Sequence, residues 1–223
     1  PMSHFFGHIN DGIFQTQAEI NAHPTQIGAK PGDRRFRDIN GDKKIDANDR
    51  TNIGDPWPDF DYGFAADASW QGFDVNMSFY GTSGKKLYDS QGVYLETMQG
   101  EWNNKTTVLD RWKGPGTSNT LPRAVRGDTN QNNRSQSDYV LDADFLRMQN
   151  FQIGYTLPQS IIKRVGARNA RIYFNGQNLF TITKYPNYNA DTLGGLGFND
   201  DSGSPLAFGV DTGSTPIPSV YSF

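Results

Sequence analysis

The sequence contains no cysteine among its 223 residues. This absence excludes a disulfide-stabilised fold, a thiol nucleophile and a zinc site with cysteine ligands. Apolar runs of about 18 residues or more, the length of a transmembrane helix, are also missing. The first residues, PMSHFFGHINDG, lack the basic and then apolar pattern of a signal peptide.

Basic runs are absent as well. The chain has 21 Lys and Arg against 24 Asp and Glu, which gives a net charge of -3. Proteins that bind nucleic acid need clustered cations to neutralise phosphates. The sequence therefore excludes nucleic acid as a partner.

The composition is poor in aliphatic residues and rich in aromatic and turn residues. Mean hydropathy is -0.68, while Phe, Tyr and Trp make up 13% of the chain, with 24 Gly and 12 Pro. This profile is typical of an all-β protein with many turns. The interior of an independent globule would be small, because burial has to offset the ordering entropy of each residue. We expect something else to cover part of the chain.

Residues 60–80 predict a β-hairpin. Large or apolar side chains occupy alternate positions of the first strand and continue in the second: Phe60, Tyr62, Phe64, Ala66, Ala68, Trp70, Phe73, Val75, Met77 and Phe79. Such period-2 alternation indicates strands with one apolar face. The two-residue link Gln71-Gly72 is typical of a tight hairpin turn.

A second pair of strands is predicted further along the chain. We expect one face of the strand 145–157 to carry Phe145, Arg147, Gln149, Phe151, Ile153, Tyr155 and Leu157, although the alternation is less regular at its start and leaves the register open. A short helix or turn follows, with Pro158 at its start and Gly166 at its end. The segment 171–183 then resumes an extended conformation.

The connections alternate between short and long. The links 71–72 and 158–168 are short, whereas residues 83–138 and 184–215 are long and polar. Short turns on one side and long loops on the other are typical of an outer-membrane barrel. Aromatic residues at both ends of the strand 60–70 match the two interfacial belts of such a barrel. The alternative is a β-sandwich, in which the apolar face would meet a second sheet.

Residues 38–49, DINGDKKIDAND, have the spacing of a calcium-binding loop. The candidate ligands are the side chains of Asp38, Asn40, Asp42, Asp46 and Asp49 and the backbone carbonyl of Lys44. Alternate residues of a tight turn can direct such oxygens at one hard cation. The loop departs from the usual pattern because Lys43 replaces a glycine and Asp49 replaces a glutamate. The alternative is a metal-free turn stabilised by its own Asp and Asn side chains.

Four blocks together resemble the C-terminal part of the SusC/RagA-type TonB-dependent outer-membrane transporters. The blocks read PGDRRFRDINGDKKIDANDRTNIGDPWPDFDYGF, SWQGFDVNMSFYGTSGKKLY, SDYVLDADFLRMQNFQIGYTLP and ARIYFNGQNLFTITKYPNYNAD. They include Gly32-Asp33 before the acidic loop and the stretch Gln177-Asn178-Leu179-Phe180. The resemblance covers most of the chain.

The resemblance implies an antiparallel transmembrane β-barrel segment. Residues 1–223 would supply about six C-terminal strands of a 22-stranded barrel with long extracellular loops, and the plug domain and earlier strands would lie elsewhere. It also implies an outer-membrane location in a Gram-negative bacterium and uptake of a glycan or peptide cargo. The expected partners are outer-membrane lipid, a SusD-like surface lipoprotein that acts as a lid, and TonB through an N-terminal region absent here. The last residues, PIPSVYSF, begin a strand that we expect to continue for about six more residues, since about 9–11 are needed to span a bilayer.

No catalytic motif is present, so we expect the chain not to be an enzyme. The long segment 95–123 contains Trp102 and Trp112, which are candidate contacts with cargo or lid because exposed tryptophans often dominate interfaces. A different function is a secreted or cell-surface glycan-binding β module stabilised by calcium. That module would bury Phe60, Phe64 and Trp70 in a sheet core, whereas the barrel exposes them to hydrocarbon.

Overall fold

The computed structural model describes residues 4–100, 103–192 and 208–223. The described chain separates into two compact units. The sheet unit contains residues 57–85, 142–192 and 214–223. The loop unit contains the described parts of 1–56, 86–141 and 193–213.

Most regular structure is β-strand, as the composition predicts. The strands are β1 Phe5–Gly7, β2 Asn10–Ile13, β3 Arg34–Phe36, β4 Thr51–Gly54, β5 Phe60–Trp70, β6 Phe73–Ser83, β7 Lys86–Asp89, β8 Val140–Asp142, β9 Phe145–Thr156, β10 Arg171–Gln177, β11 Thr181–Thr183, β12 Val210–Asp211 and β13 Val220–Ser222. The helices are short: α1 Gln17–Ala22, α2 Ser90–Leu95 and α3 Gln159–Ile162, with 3₁₀ turns at Ala47–Asp49, Thr106–Asp110, Ser137–Tyr139 and Lys163–Val165.

The sheet unit is built on one antiparallel sheet. Its strands lie in the order β13-β10-β9-β6-β5, and β11 also pairs with β9. The predicted hairpin is present, with Phe60 opposite Ser83 and Trp70 opposite Phe73. The predicted turn from Pro158 ends at Gly166, whose φ of 71° places it in the left-handed region that glycine favours.

The prediction of a single continuous face for β9 is wrong, because the strand contains a β-bulge. Its pairing with β6 shifts register between Ser78 and Phe79, so that Met77 lies opposite Phe151 but Phe79 lies opposite Met148. The extra residue reverses the alternation. Phe145 and Arg147 therefore occupy the polar face of the sheet and are buried. Alternation alone could not reveal this, since both faces of β9 carry apolar residues.

The loop unit has several small strand pairs. β1 pairs with β4, β2 pairs with β3, and β7 lies between β12 and β8. Its apolar core is small, with Ile13, Phe14, Phe36, Leu87 and Tyr139 all buried. Thr16 caps α1 by accepting a hydrogen bond from the backbone N–H of Glu19. Segments distant in sequence are thus joined around a few aromatic and aliphatic side chains.

Among the described residues, the helices are too short and too polar for any of them to cross a membrane.

Candidate functional site

The strongest candidate for a functional surface is the apolar face of the sheet. All eleven residues of β5 are exposed, and Trp70, Phe60 and Phe64 keep 71%, 64% and 53% of their surface accessible. A β-sandwich would bury these three side chains. Their exposure is the opposite of what the sandwich alternative requires and agrees with the barrel alternative.

Aromatic side chains form a band at each end of this face. At the hairpin end, the rings of Phe73 and Tyr155 lie 4.4 Å apart, next to Trp70. The other band runs from Phe64, which stacks on Phe79 near the middle of the two strands with 4.5 Å between ring centroids, to Phe60 at the far end of β5. Between the bands lie smaller or aliphatic side chains: Ala66, Ala68, Val75, Met77 and Ile153. An apolar middle between two aromatic bands is the pattern of a lipid-facing barrel surface.

The opposite face is polar and internally hydrogen-bonded. The Asn76 amide donates to Asp67 across the hairpin, at 2.5 Å, and Asn150 donates to Asn76 at 2.9 Å. Arg171 forms an ion pair with Asp74 on the same face. The alternation predicted for β5 and β6 thus separates an apolar surface from a hydrogen-bonded polar one.

The six predicted metal ligands lie in one turn that folds on itself through Asx hydrogen bonds. The Asp38 carboxylate accepts from the N–H groups of Gly41 and Lys43, at 2.7 and 2.8 Å, and Asp42 accepts from Lys44 at 2.9 Å. Asp49 is fully buried and accepts from Ile39 and Asp46. Asn40 accepts from Asp42, and Asp46 accepts from Asn48.

Two observations bear on whether this loop fits a cation. Lys43 has a φ of 65°, so it adopts the left-handed conformation that glycine usually provides at this position. Lysine in place of glycine at position 43 therefore does not prevent the backbone from forming the turn. However, no three acidic or histidine side chains among the described residues converge as a metal site. Calcium binding stays a prediction.

Of the two candidate contact residues, Trp102 lies outside the described residues. Trp112 is half-buried, and its indole N–H donates to the Gln15 side chain at 3.1 Å. Its ring lies so close to Gly32 that a Cβ added there would meet its Cζ3 at 2.8 Å. Trp112 therefore packs against the segment before the acidic loop, and a role in binding stays a prediction.

A buried polar cluster in the loop unit was not predicted. Asp33 is fully buried and accepts from Arg123 through both oxygens, at 2.8 and 3.2 Å. Arg34 is also buried and forms an ion pair with Asp138. Burial lowers the pKa of the Arg34 guanidinium and raises the pKa of the Tyr139 hydroxyl beneath it. These pairs join residues about 90–104 positions apart, so local sequence patterns carry no sign of them.

Fold and surface together define a class: an antiparallel β-sheet with one polar face and one uncovered apolar face between aromatic bands. No protein-family model matches the chain. Curated relatives do. The chain is 33% identical over 214 residues to TonB-dependent receptor P3 of Formosa agariphila and 28% identical over 207 residues to receptor P26 of the same organism. It is 27% identical over 175 residues to the TonB-dependent receptor SusC of Bacteroides thetaiotaomicron.

The chain belongs to the TonB-dependent receptors, which confirms the resemblance inferred from the four sequence blocks. The match to receptor P3 covers 95% of this chain and 20% of that receptor, and the match to SusC covers 76% and 16%. The chain therefore spans about one fifth of the length of the relatives it matches. The relatives are named as receptors, which agrees with the prediction that the chain is not an enzyme.

Solved structures of RagAB show the same fold. The RagAB peptide transporter superposes with a TM-score of 0.71 over 98% of this chain and 22% of that chain, at 21% identity. The RagAB peptide importer in its open-open state gives a TM-score of 0.65 over 93% of this chain. At this identity the likeness concerns the fold, and it confirms the predicted all-β, antiparallel class.

Proposed function

We propose that the chain supplies wall strands and outer loops to a TonB-dependent importer of nutrients in the outer membrane of a Gram-negative bacterium. The observation that carries the proposal is the apolar face of the sheet, which is exposed along all of β5 and half-buried along most of β6. Each strand has eleven residues, which matches the about 9–11 needed to cross the hydrocarbon at a tilt. A surface of this kind is stable only when something apolar covers it.

The sheet edges support a place within a larger barrel. β5 and β13 are the outer strands of the described sheet, and open strand edges are not tolerated in hydrocarbon. Further strands of the full receptor must therefore pair with them. We propose that they complete a 22-stranded barrel, with the plug and the TonB-contacting segment in the remaining four fifths of the receptor.

Cargo and lid are part of the same proposal. RagAB is described as a peptide importer, and the relatives include SusC. By analogy, the chain would serve the uptake of a glycan or a peptide together with a SusD-like surface lipoprotein. The segment 95–123, with Trp102 and Trp112, is the proposed contact for lid or cargo.

The loop 38–49 is proposed as a calcium site within this assembly. Four carboxylates in one short turn repel each other unless cations or N–H groups neutralise them. The left-handed Lys43 supports the loop geometry. A bound ion would stiffen the loop and would perform no chemistry on the cargo.

Two neighbouring alanines of β5 provide the test. Ala66 lies on the apolar face opposite Met77, and Ala65 lies on the polar face opposite Ser78. In the full-length receptor, Ala66→Arg should destabilise the barrel by about 2–4 kcal/mol, as arginine does on a lipid-facing surface at mid-membrane. Ala65→Arg is the matched control and should be tolerated. Folded receptor in the outer membrane can be quantified by heat-modifiable gel mobility.

The importer and the alternative, a cell-surface β module, predict opposite results in this experiment. Equal folding of the Ala66→Arg and Ala65→Arg receptors would show that hydrocarbon does not cover the face. A soluble, cooperatively melting monomer made from residues 1–223 alone would favour the cell-surface β module.

A further inference from the structure

The link between β9 and β10, residues 157–170, carries only positive charge. It contains Lys163, Arg164 and Arg168 and has no Asp or Glu. All three residues are exposed. None of the three forms an ion pair within the described part of the chain. The β9–β10 link therefore presents three uncompensated cations to the surroundings of the sheet unit.

Hydrogen bonds hold the β9–β10 link in a compact turn. At its ends, the N–H of Leu157 donates to the carbonyl oxygen of Ala170 at 2.9 Å. Further in, the side-chain amide of Gln159 donates to the carbonyl oxygen of Arg168 at 3.2 Å. The Ile162 side chain is buried and anchors the middle of the turn. The three cations are thus close together on a backbone that is tied at both ends.

The β9–β10 link lies beside one aromatic band of the apolar face. The N–H of Thr156, the last residue of β9, donates at 2.8 Å to the carbonyl oxygen of Gly72 in the turn between β5 and β6. Both connections therefore lie at the same end of the sheet, which carries the band of Trp70, Phe73 and Tyr155. Aromatic bands of membrane proteins lie at the level of the lipid headgroups. Charged residues directly beyond the band lie among those headgroups.

Exposed apolar side chains lie next to these cations. Ile161 precedes them in the link, and Ile172 lies just after it on β10, opposite Tyr155; both isoleucines are exposed. Lys and Arg side chains can lay their apolar stems along hydrocarbon and keep the charge at its surface. A soluble anion would leave the two isoleucines in water, whereas a lipid supplies both a phosphate and hydrocarbon. Cations beside apolar side chains therefore favour a lipid.

We propose that the β9–β10 link binds the headgroup of an anionic phospholipid, whose acyl chains lie along the apolar face next to Ile172. The inference rests on the proposed membrane-spanning function, because only a sheet within a bilayer brings headgroups to this end. Phosphate oxygens accept charge-assisted hydrogen bonds from Arg and Lys. Each basic residue near an anionic lipid surface strengthens binding about fivefold. Short turns of outer-membrane barrels are periplasmic, so the lipid belongs to the periplasmic leaflet.

Native mass spectrometry of the purified full-length receptor in detergent tests the proposal. Phosphatidylglycerol and phosphatidylcholine are added together at equal concentration, since both have a phosphate and acyl chains but only phosphatidylglycerol has a net negative charge. The receptor should bind phosphatidylglycerol preferentially, and the preference should fall at high salt, which screens exposed charges. Glycerol phosphate has the phosphate without acyl chains. An excess of it should leave the bound phosphatidylglycerol unchanged.

Paired substitutions assign the lipid preference to the β9–β10 link. Arg164→Gln combined with Arg168→Gln should reduce the ratio of bound phosphatidylglycerol to phosphatidylcholine about tenfold or more. Lysine at both positions keeps the charge and should keep most of the preference. The matched control combines Arg50→Gln with Arg126→Gln, which removes two exposed arginines of the loop unit and should have no effect. All four arginines are exposed, so each variant should fold, as heat-modifiable gel mobility would verify.

The proposal is wrong if the unmodified receptor binds both lipids equally, or if the glutamine pair at 164 and 168 keeps the same preference as the control pair. Displacement of phosphatidylglycerol by glycerol phosphate would overturn it in favour of a soluble anion. Impaired import with an unchanged lipid preference would overturn it in favour of a periplasmic protein partner. If Ala66→Arg and Ala65→Arg differ as expected while the lipid preference is absent, the lipid site fails and the importer proposal stands.

Discussion

Arg171 on β10 forms an ion pair with Asp74 on β6 by reaching across the whole width of the intervening strand β9. The Arg171 Nε donates to Asp74 Oδ1 at 3.1 Å. The residue beneath the guanidinium is Gly154, where an added Cβ would lie 2.7 Å from Arg171 Cζ. The absence of a side chain at Gly154 is therefore what allows three strands to be joined on the polar face.

The Gly154 arrangement predicts strong coupling between two substitutions. In the full-length receptor, Gly154→Val should destabilise the folded state by about 1–3 kcal/mol, because the side chain collides with the guanidinium. In an Arg171→Ala background the same substitution should cost much less, since the colliding group is gone. A double-mutant cycle from thermal or denaturant unfolding measures the difference.

Gly63 on β5 supplies the control for this cycle. A Cβ at Gly63 meets only the backbone oxygen of Phe79, at 3.2 Å. Gly63→Val should thus have the same effect with and without Arg171. Additive effects of Gly154→Val and Arg171→Ala would show that the collision with Arg171 is not the reason why glycine is needed at position 154.

The buried pair Asp33–Arg123 predicts a second large effect. Asp33 has no solvent-accessible surface, while the Arg123 side chain keeps 24%. Removing one partner of a buried pair leaves the other charge uncompensated and costs about 3–5 kcal/mol. Asp33→Ala should therefore open the loop unit to protease, which limited proteolysis of the full-length receptor would detect.

The exposed pair Arg37–Asp11 is the control for Asp33. Its side chains keep 53% and 30% of their surface, and solvent screening leaves such exposed pairs with little effect on stability. Asp11→Ala should leave the protease resistance of the loop unit almost unchanged. If the two variants were cleaved at the same rate, burial of Asp33 would not be what stabilises the unit.

The sheet could be predicted from sequence because the patterns that determine it lie within short stretches of the chain. Alternation of Phe64, Ala66 and Ala68 with polar residues fixes which face is apolar, and Gln71-Gly72 fixes the hairpin register. The bulge in β9 could not be predicted, since Phe145 and Phe151 are apolar on either side of the reversal. The pairing of β9 with β6, and not residue type, decides which side chains of β9 lie on the apolar face.

The loop unit was much less predictable, again for a physical reason. In the sequence, Asp33 and Arg123 each look like an ordinary charged loop residue. Their pairing depends on a chain reversal over 90 positions. In contrast, the acidic turn was visible in the sequence because the hydrogen bonds of its Asp and Asn side chains join residues close together in the chain, such as Ile39 and Asp49.

Calcium binding to residues 38–49 predicts a ligand-dependent stability. If the ion binds only the folded loop, calcium at 100 times its dissociation constant should stabilise the fold by about 2.7 kcal/mol. Asp42→Asn keeps an oxygen that can accept from Lys44 but removes one charge. The variant should lose much of the calcium response and keep its stability in chelator. Thermal unfolding of the full-length receptor with calcium or with EDTA measures both.

A turn stabilised only by its own side chains predicts a different outcome. Unmodified receptor and the Asp42→Asn variant would then unfold at the same temperature with calcium and with EDTA. That result would refute the calcium proposal and leave the hydrogen bonds of Asp38 and Asp49 as the whole explanation of the loop.

We predict that Trp112 contributes directly to the affinity for the lid lipoprotein, in addition to its packing within the loop. If its ring contacts the lid lipoprotein, Trp112→Ala should weaken the complex by about 2 kcal/mol or more, roughly thirtyfold, as hot-spot tryptophans do. Gln15→Ala removes the hydrogen bond that Trp112 donates but retains the ring, so it should change affinity little. Binding of purified lid to the full-length receptor measures both variants. Equal weakening by the two would mean that Trp112 acts only by holding its loop, because the ring would then add nothing to the interface beyond that hydrogen bond.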